Sequence, residues 1–198
     1  MQKLKKYFFE RKTAVVAKEL LGQILVRKTE KGLISGIIIE TEAYLGKEDL
    51  ASHANRGKTP RNQIMFAEGG FWYIYLIYGI HHCLNIVTEK NNRPGAVLIR
   101  ALEPLRGLKE MKINRQTENI KNLTNGPGKL CQALKIDRRL NQTSALNADS
   151  ELFIVQSKIS IPENKIKKAP RIGVDYAGIW KDKPLRFYIK DNLFVSKR

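Results

Sequence analysis

Phe71-Trp72-Tyr73-Ile74-Tyr75-Leu76-Ile77-Tyr78-Gly79-Ile80-His81-His82-Cys83-Leu84-Asn85-Ile86-Val87 carries the strongest fold signal in the chain. Two runs rich in aromatic and aliphatic residues, Phe71–Ile77 and Ile80–Val87, flank Tyr78-Gly79, where glycine supplies the backbone angle of a tight turn. The spacing predicts a β-hairpin with Tyr78 at its tip. Working outward, Gln23–Thr29 and Leu33–Glu42 read as strands joined by Glu30-Lys31-Gly32. Ala96–Ala101, Leu152–Val155 and Leu185–Ile189 read as further strands. Ala14–Leu21 is a short helix with Thr13 as N-cap and Gly22 as stop. Pro104–Ile113 is a helix opened by its proline, and Lys129–Leu134 starts another. Leu45–Asn62 and Ile120–Gly128 are loops, the first long enough to suggest a functional role. With no repeat, low-complexity tract or linker, residues 1–198 are expected to form a single compact α+β domain. Hairpins dominate an antiparallel or mixed sheet, with helices around it.

The composition narrows the partner. The 198 residues hold 36 Lys plus Arg against 19 Asp plus Glu, a net charge of +17. The excess is spread over both halves, so it is no detachable tail. It suggests nucleic acid or an acidic surface, although a solvated basic exterior explains charge alone equally well. Cys83 and Cys131 form no C-x-x-C pair, which argues against a disulfide scaffold or zinc ribbon and suits a reducing cytoplasm. The longest apolar run falls far short of the ~20 residues that span a bilayer, and the basic N-terminal stretch makes a poor signal peptide, so no membrane partner is expected.

Several segments could carry chemistry. In a strand through Ile38-Ile39-Glu40-Thr41-Glu42-Ala43-Tyr44, the residues Glu40, Glu42 and Tyr44 share one face, with Ile39, Thr41 and Ala43 on the other. Paired carboxylates suit a general base, although from this stretch alone an ordinary solvated strand end is the readier explanation. The loop that follows holds His53, Arg56, Lys58 and Arg61 with no acid between Asp49 and Glu68. The aromatic run holds five of the sixteen Phe, Trp and Tyr. Core packing accounts for Phe71, Trp72 and Tyr73, whereas Tyr78 at a tip is placed to wedge between bases and Tyr75 to stack on one. His81-His82-Cys83 suggests metal ligands, but neighbouring strand residues point to opposite faces, so no metal site is expected. Gly126-Pro127-Gly128-Lys129 lacks the first glycine and the Ser or Thr of a phosphate loop. The G-x-S-x-G and zinc-deaminase patterns are absent as well.

Taken in order, these segments resemble the 3-methyladenine (alkylpurine) DNA glycosylases of the alkyladenine type. The resemblance runs through Glu40-Thr41-Glu42-Ala43-Tyr44, Ser52-His53, Thr59-Pro60-Arg61-Asn62 and Met65-Phe66. It continues through Tyr73-Ile74-Tyr75, Tyr78-Gly79, Cys83, Asn85 and Arg100-Ala101-Leu102-Glu103-Pro104, and ends with Gly126-Pro127, Lys129 to Leu134 and Pro184 to Tyr188. His81-His82 stand where the vertebrate form has aromatics. The family implies a compact mixed fold with a protruding β-hairpin that enters the minor groove. It implies Glu42 as the base that activates water for attack at the sugar C1′, with Arg100 supporting that water or the carboxylate. Tyr44 and Tyr75 would sandwich the flipped base, His53 would meet its edge, Asn85 would oppose the amino group of normal guanine, and Tyr78 would fill the gap in the duplex. The expected partner is double-stranded DNA containing damaged purines, with no cofactor, no obligate protein partner, a monomeric state and a cytoplasmic location. Water as nucleophile implies no lyase step. Two rival readings remain at this point: a non-catalytic nucleic-acid-binding module, and a metal-dependent nuclease using Glu40 and Glu42.

Overall fold

The computed structural model describes residues 2–197, so the first and last residues of the expected domain lie outside it. In chain order its strands are β1 (Ile24–Thr29), β2 (Gly32–Tyr44), β3 (Trp72–Ile77), β4 (His81–Thr88), β5 (Gly95–Arg106), β6 (Leu152–Val155), β7 (Ile166–Ala169) and β8 (Arg186–Ile189). The helices are α1 (Lys6–Phe9), α2 (Thr13–Glu19), α3 (Leu108–Arg115) and α4 (Pro127–Ala133). Among the described residues all eight strands join one sheet, and every neighbouring pair is antiparallel. The architecture is the expected α+β fold. No described helix is long and apolar enough to cross a membrane.

Two long strands, β2 and β5, form the spine. Along one edge β2 pairs first with β1 and then, from Glu40 to Glu42, with β8. Along the other it pairs with β5 from Ser35 to Tyr44, and β4 and β3 follow outward. One face carries the main core, where Val16, Ala17 and Leu20 of the α2 region and Leu130 and Leu134 of the α4 region meet Ile38 and Ile99. Burying side chains of this kind stabilises by roughly 1.5–3 kcal/mol each. That leaves the opposite face of the β3–β4–β5–β2 half free to build a cleft.

A paired irregularity near the middle of the spine places the charged residues. Ile38 faces Leu102, but Glu40 faces Ala101 and Thr41 faces Ile99, so one residue bulges out of each strand, Ile39 and then Arg100. Bulges re-aim side chains. Thr41 and Ala43 face the main core as expected, Thr41 donating to the Ala17 carbonyl at 2.7 Å. Ile39 does not join them: the bulge turns it into a separate cluster with Ala101, Tyr188 and Val195. Strict alternation fails there because the bulge inserts one residue into the period of two.

Other boundaries move for local reasons. Thr13 is the first helical residue of α2, not its cap. Its N–H and hydroxyl both donate to the Glu89 carboxylate, at 3.2 and 2.8 Å, so an acid from another segment satisfies the helix start. The proline-opened helix is a strand instead: β5 continues through Pro104 to Arg106, with Pro104 beside the register shift at Ser35/Gly36, where its missing N–H is tolerated. The helix starts only after Gly107. Pro127, not Lys129, opens α4. Strand β1 starts at Ile24 and β3 at Trp72, one residue later than expected in each case.

The long loop is an ordered wall. Asp49 accepts from the Leu45 and Ala51 amides, and Asn62 donates to the His53 and Gly57 carbonyls. A short 3₁₀ turn spans His53–Arg56. Gly46 has φ +96°, and a Cβ there would lie 2.1 Å from the Pro94 carbonyl oxygen, so only glycine allows the loop to close against the start of β5.

Candidate active site

A cleft of about 610 Å³ opens over the free face of the sheet. Alternation brings Tyr73, Tyr75 and Ile77 of β3 to this face, with His81, Cys83 and Asn85 of β4 and Leu98 and Arg100 of β5. The ordered loop contributes His53 and Arg61, and residues 172–176 close the far side.

Glu42 lies fully buried beneath this surface. Its Oε1 accepts the Ile172 amide at 2.8 Å, and its Oε2 accepts the Tyr44 hydroxyl at 2.9 Å. Arg100 Nη1 stands 3.3 Å from the same Oε2. A carboxylate offers about four lone-pair positions, so three donors leave one open. Burial pushes the Arg100 guanidinium down, and the Glu42 and Glu40 carboxylates more than offset it, so it stays charged. Burial, with Glu42 alongside, pushes the Tyr44 phenol well above its usual range, so it remains a neutral donor. Glu40 is also fully buried and bonds Arg186 Nη1 at 2.8 Å, which balances two buried carboxylates with two guanidinium groups.

Aromatic faces enclose the slot above. Tyr75 meets the His53 ring edge-on at 4.6 Å and Tyr73 at 5.3 Å. The Tyr44 ring is backed by the Arg171 guanidinium, 4.7 Å from its centroid. Arg171 is itself locked, with Nη1 and Nη2 bonded to the Asp49 carboxylate at 2.5 and 2.8 Å and Nη1 to the Ala43 carbonyl at 2.8 Å. Asn85 lines the slot with its amide donating to the Tyr73 and Cys83 carbonyls at 3.0 and 3.3 Å. Beside the cleft, the β3–β4 turn lifts Tyr78 into solvent at 85% exposure. Both Tyr78 (φ +53°) and Gly79 (φ +72°) sit in the left-handed region, although the sequence called for this only at the glycine. For tyrosine this conformation costs about 1–2 kcal/mol, and such strain clusters at working sites.

The comparisons with known proteins bear on this geometry. Residues 7–193 match the family described as Methylpurine-DNA glycosylase (MPG). The chain belongs to the methylpurine-DNA glycosylase family. A relative from Legionella pneumophila (strain Lens) is 46% identical with all of both chains aligned, and one from Clostridium perfringens (strain SM101 / Type A) is 47% identical over 96% of this chain and 97% of its own. A third, from Methanocella arvoryzae, is 46% identical over 100% of this chain and 98% of its own. Each is named "Putative 3-methyladenine DNA glycosylase". Membership makes this chain an enzyme of the N-glycosyl hydrolase class.

In this methylpurine-DNA glycosylase fold, Tyr44, His53, Tyr75, Asn85 and Arg100 all reach the cleft, Glu42 lies directly beneath it and Tyr78 stands at its edge. His81 and His82 separate as alternation predicts. His81 lines the cleft against Gly128, whose Cβ would lie 3.1 Å from the His81 Cβ, while His82 does not line it. Sequence reasoning missed Arg171, Asp49, Arg186 and the Ile172 amide. Asp49 and Arg171 are 122 positions apart, and no motif or period links them.

His53 is held neutral. Its Nδ1 shares a 2.7 Å hydrogen bond with the Tyr73 hydroxyl, and burial, with Arg61 nearby, pulls its pKa down to about 4, while burial pushes Tyr73 up to about 12. The folded state therefore resists a proton that the unfolded chain takes up near pH 6.5. Stability from this group is complete above pH 6.5 and is lost as pH falls toward 4, by about 2–3 kcal/mol. Urea midpoints at pH 7 and pH 4.5 are expected to show that loss, and His53→Gln is expected to flatten it. An unchanged slope in the variant would assign the loss to other groups.

Proposed function

We propose that this enzyme flips alkylated purines, 3-methyladenine and 7-methylguanine foremost, out of duplex DNA and hydrolyses their glycosidic bonds with a water activated by Glu42. The observation that carries this reading is a buried carboxylate–guanidinium pair, Glu42 and Arg100, under an aromatic slot beside an exposed tyrosine on a hairpin tip. Each part has a task. The net charge of +17 supplies sequence-independent phosphate binding. Tyr78 enters the gap left by the flipped nucleotide, and extrusion costs least for damaged or mispaired bases. Tyr44 and Tyr75 present electron-rich faces, which favour a cationic methylpurine by roughly 0.5–2 kcal/mol. Glu42 accepts a proton from water at its remaining lone pair and faces the positive charge that develops on the sugar. Arg100 balances the charge of the carboxylate while Asn85 opposes the amino group of normal guanine. The enzyme works as a monomer on chromosomal DNA in the cytoplasm.

Lesion rank follows from His53. A cationic purine is already a good leaving group, whereas hypoxanthine and ethenoadenine need a proton. A histidine held near pKa 4 does not supply one at neutral pH. Any excision of neutral lesions is therefore expected to be slower than that of methylated ones, which the hypoxanthine duplex tests.

The test incubates the wild-type protein with duplex DNA carrying methylated purines, and separately with one hypoxanthine, in chelator, scoring strand breaks before and after hot alkali. Breaks that need alkali support the proposal. Direct breaks abolished by chelator would point to a nuclease, and binding without any break to a non-catalytic module. Borohydride should trap no covalent complex, since no amine attacks the sugar.

The hairpin tip gives a separate expectation. Tyr78→Gly relieves about 1–2 kcal/mol of backbone strain against about 0.5–1 kcal/mol of added unfolded-state entropy. Its urea midpoint should therefore stay close to wild type. Excision from duplex should fall about 10- to 100-fold, the loss of one stacked ring, with excision from single strands unchanged because no gap needs filling. Equal losses on both substrates would remove the wedge role.

A further inference from the structure

The Glu42–Arg100 pair is not held mainly by its own contacts. Arg100 makes no short bond: Nη1 is 3.3 Å from Glu42, Nε 3.4 Å from Glu40 and Nη2 3.5 Å from the Ser196 hydroxyl. Its buried Nε–H finds no well-aligned acceptor among the described residues. Glu40, by contrast, is held tightly. Its Oε2 accepts the Ser196 amide at 2.7 Å, and its Oε1 accepts the Ser196 hydroxyl at 3.0 Å and Arg186 Nη1 at 2.8 Å. Arg186 in turn donates to the Lys197 carbonyl at 2.8 Å, and Val195 is buried against Ile39 and Tyr188. The segment from Val195 to Lys197 thus lies across the bulge as a strap. It closes on Glu40, the one carboxylate among the described residues that touches both guanidinium groups.

We infer that Ser196 is a positioning residue for catalysis: by fixing Glu40 it sets where the loosely held Arg100 points, and thereby the positive charge that Arg100 presents to the Glu42 carboxylate beneath the slot. The inference rests on the functional reading above. Two donors from one residue fix both oxygens of Glu40, which stops the carboxylate from rotating. Without the hydroxyl, Oε1 keeps only Arg186 and a poorly aligned Arg100, and Arg100 loses one of its three neighbours. Small displacements of reacting groups are costly to rate even when binding is intact. Ser196 does not line the cleft, so it does not touch substrate.

The experiment compares wild type, Ser196→Ala, Ser196→Thr and Ser196→Pro in single-turnover excision from methylated duplex. Amplitude, rate and the Kd for a duplex holding an abasic-site analogue are read separately. Ser196→Ala is expected to slow the rate about 10-fold, the size of a hydrogen bond to a charged group. Ser196→Pro, which also loses the amide donor, should slow it about 100-fold by the same measure. Ser196→Thr restores the hydroxyl and should stay within about 3-fold of wild type. Amplitude and Kd should hold for Ala and Thr, because a merely structural residue would lower the active fraction and leave the rate alone. A wild-type rate in Ser196→Ala, or a loss confined to amplitude or Kd, overturns the inference. Absence of excision by the wild type would overturn the functional reading itself, and this inference with it.

Discussion

Glu42→Gln is expected to slow base release by about three to four orders of magnitude, or about 4–5 kcal/mol of transition-state stabilisation, with duplex affinity within about threefold of wild type. Glutamine keeps the shape and still accepts the Ile172 amide through its carbonyl oxygen. It cannot take a proton from water near neutral pH, and it presents no full negative charge to the departing base's sugar. Arg100 stays paired through Glu40, so the buried guanidinium is not orphaned and the variant should fold. Phosphate contacts and the Tyr78 tip are untouched, which is why binding should survive. The check is a single-turnover rate on methylated duplex beside a Kd on the abasic analogue. A rate within tenfold of wild type would exclude Glu42 as the base and return attention to Glu40.

Arg171→Ala should be the most damaging single change to stability, about 3–5 kcal/mol, because it removes one partner of a buried ion pair and strands the other. Both side chains are fully buried, and the Asp49 carboxylate also organises the long loop through the Leu45 and Ala51 amides. With Arg171 gone, Asp49 is charged without its counter-ion and Tyr44 loses the cation behind its ring. Urea denaturation measures the first effect. The second should appear as a stronger preference for methylated over neutral purines in the folded fraction, because a cation behind the ring opposes a cationic base in front of it. Removing both partners, as Asp49→Leu with Arg171→Leu, should cost less than the two single changes added together, since no unpaired charge is left. Strict additivity would show that the pair does not couple.

The hairpin and the spine strands were legible because periodicity reports them directly. Alternation puts Tyr75, Cys83 and Asn85 on one face; Tyr73, read from the sequence as a core residue, is buried and also lines the cleft beside them. Pro104 misled because proline opens helices as readily as it marks strand irregularities, and only the register shift opposite Ser35 and Gly36 distinguishes the two. Ile39 misled because a bulge leaves no trace in hydrophobic alternation until its partner strand is known. Strand alternation and the hairpin tip singled out Glu42, Tyr44, Tyr75 and Tyr78, whereas the roles of His53, Asn85 and Arg100 came only from an ordered resemblance. The supporting groups, Asp49 with Arg171 and Glu40 with Arg186 and Ser196, join residues 122 to 156 positions apart. Such pairings are written in three dimensions only.

That separation also orders events in time. Long-range contacts form late in folding, and a chain emerging from a ribosome acquires its N-terminal parts first. The hairpin with its Tyr78 tip is local and pairs with β5 on its β4 side, whereas the outer side of β3 is completed by residues 141–145. The carboxylate network waits for residues 171 to 197. The hairpin that carries Tyr78 can therefore take shape before the buried network around Glu42, which draws on residues 171 to 197.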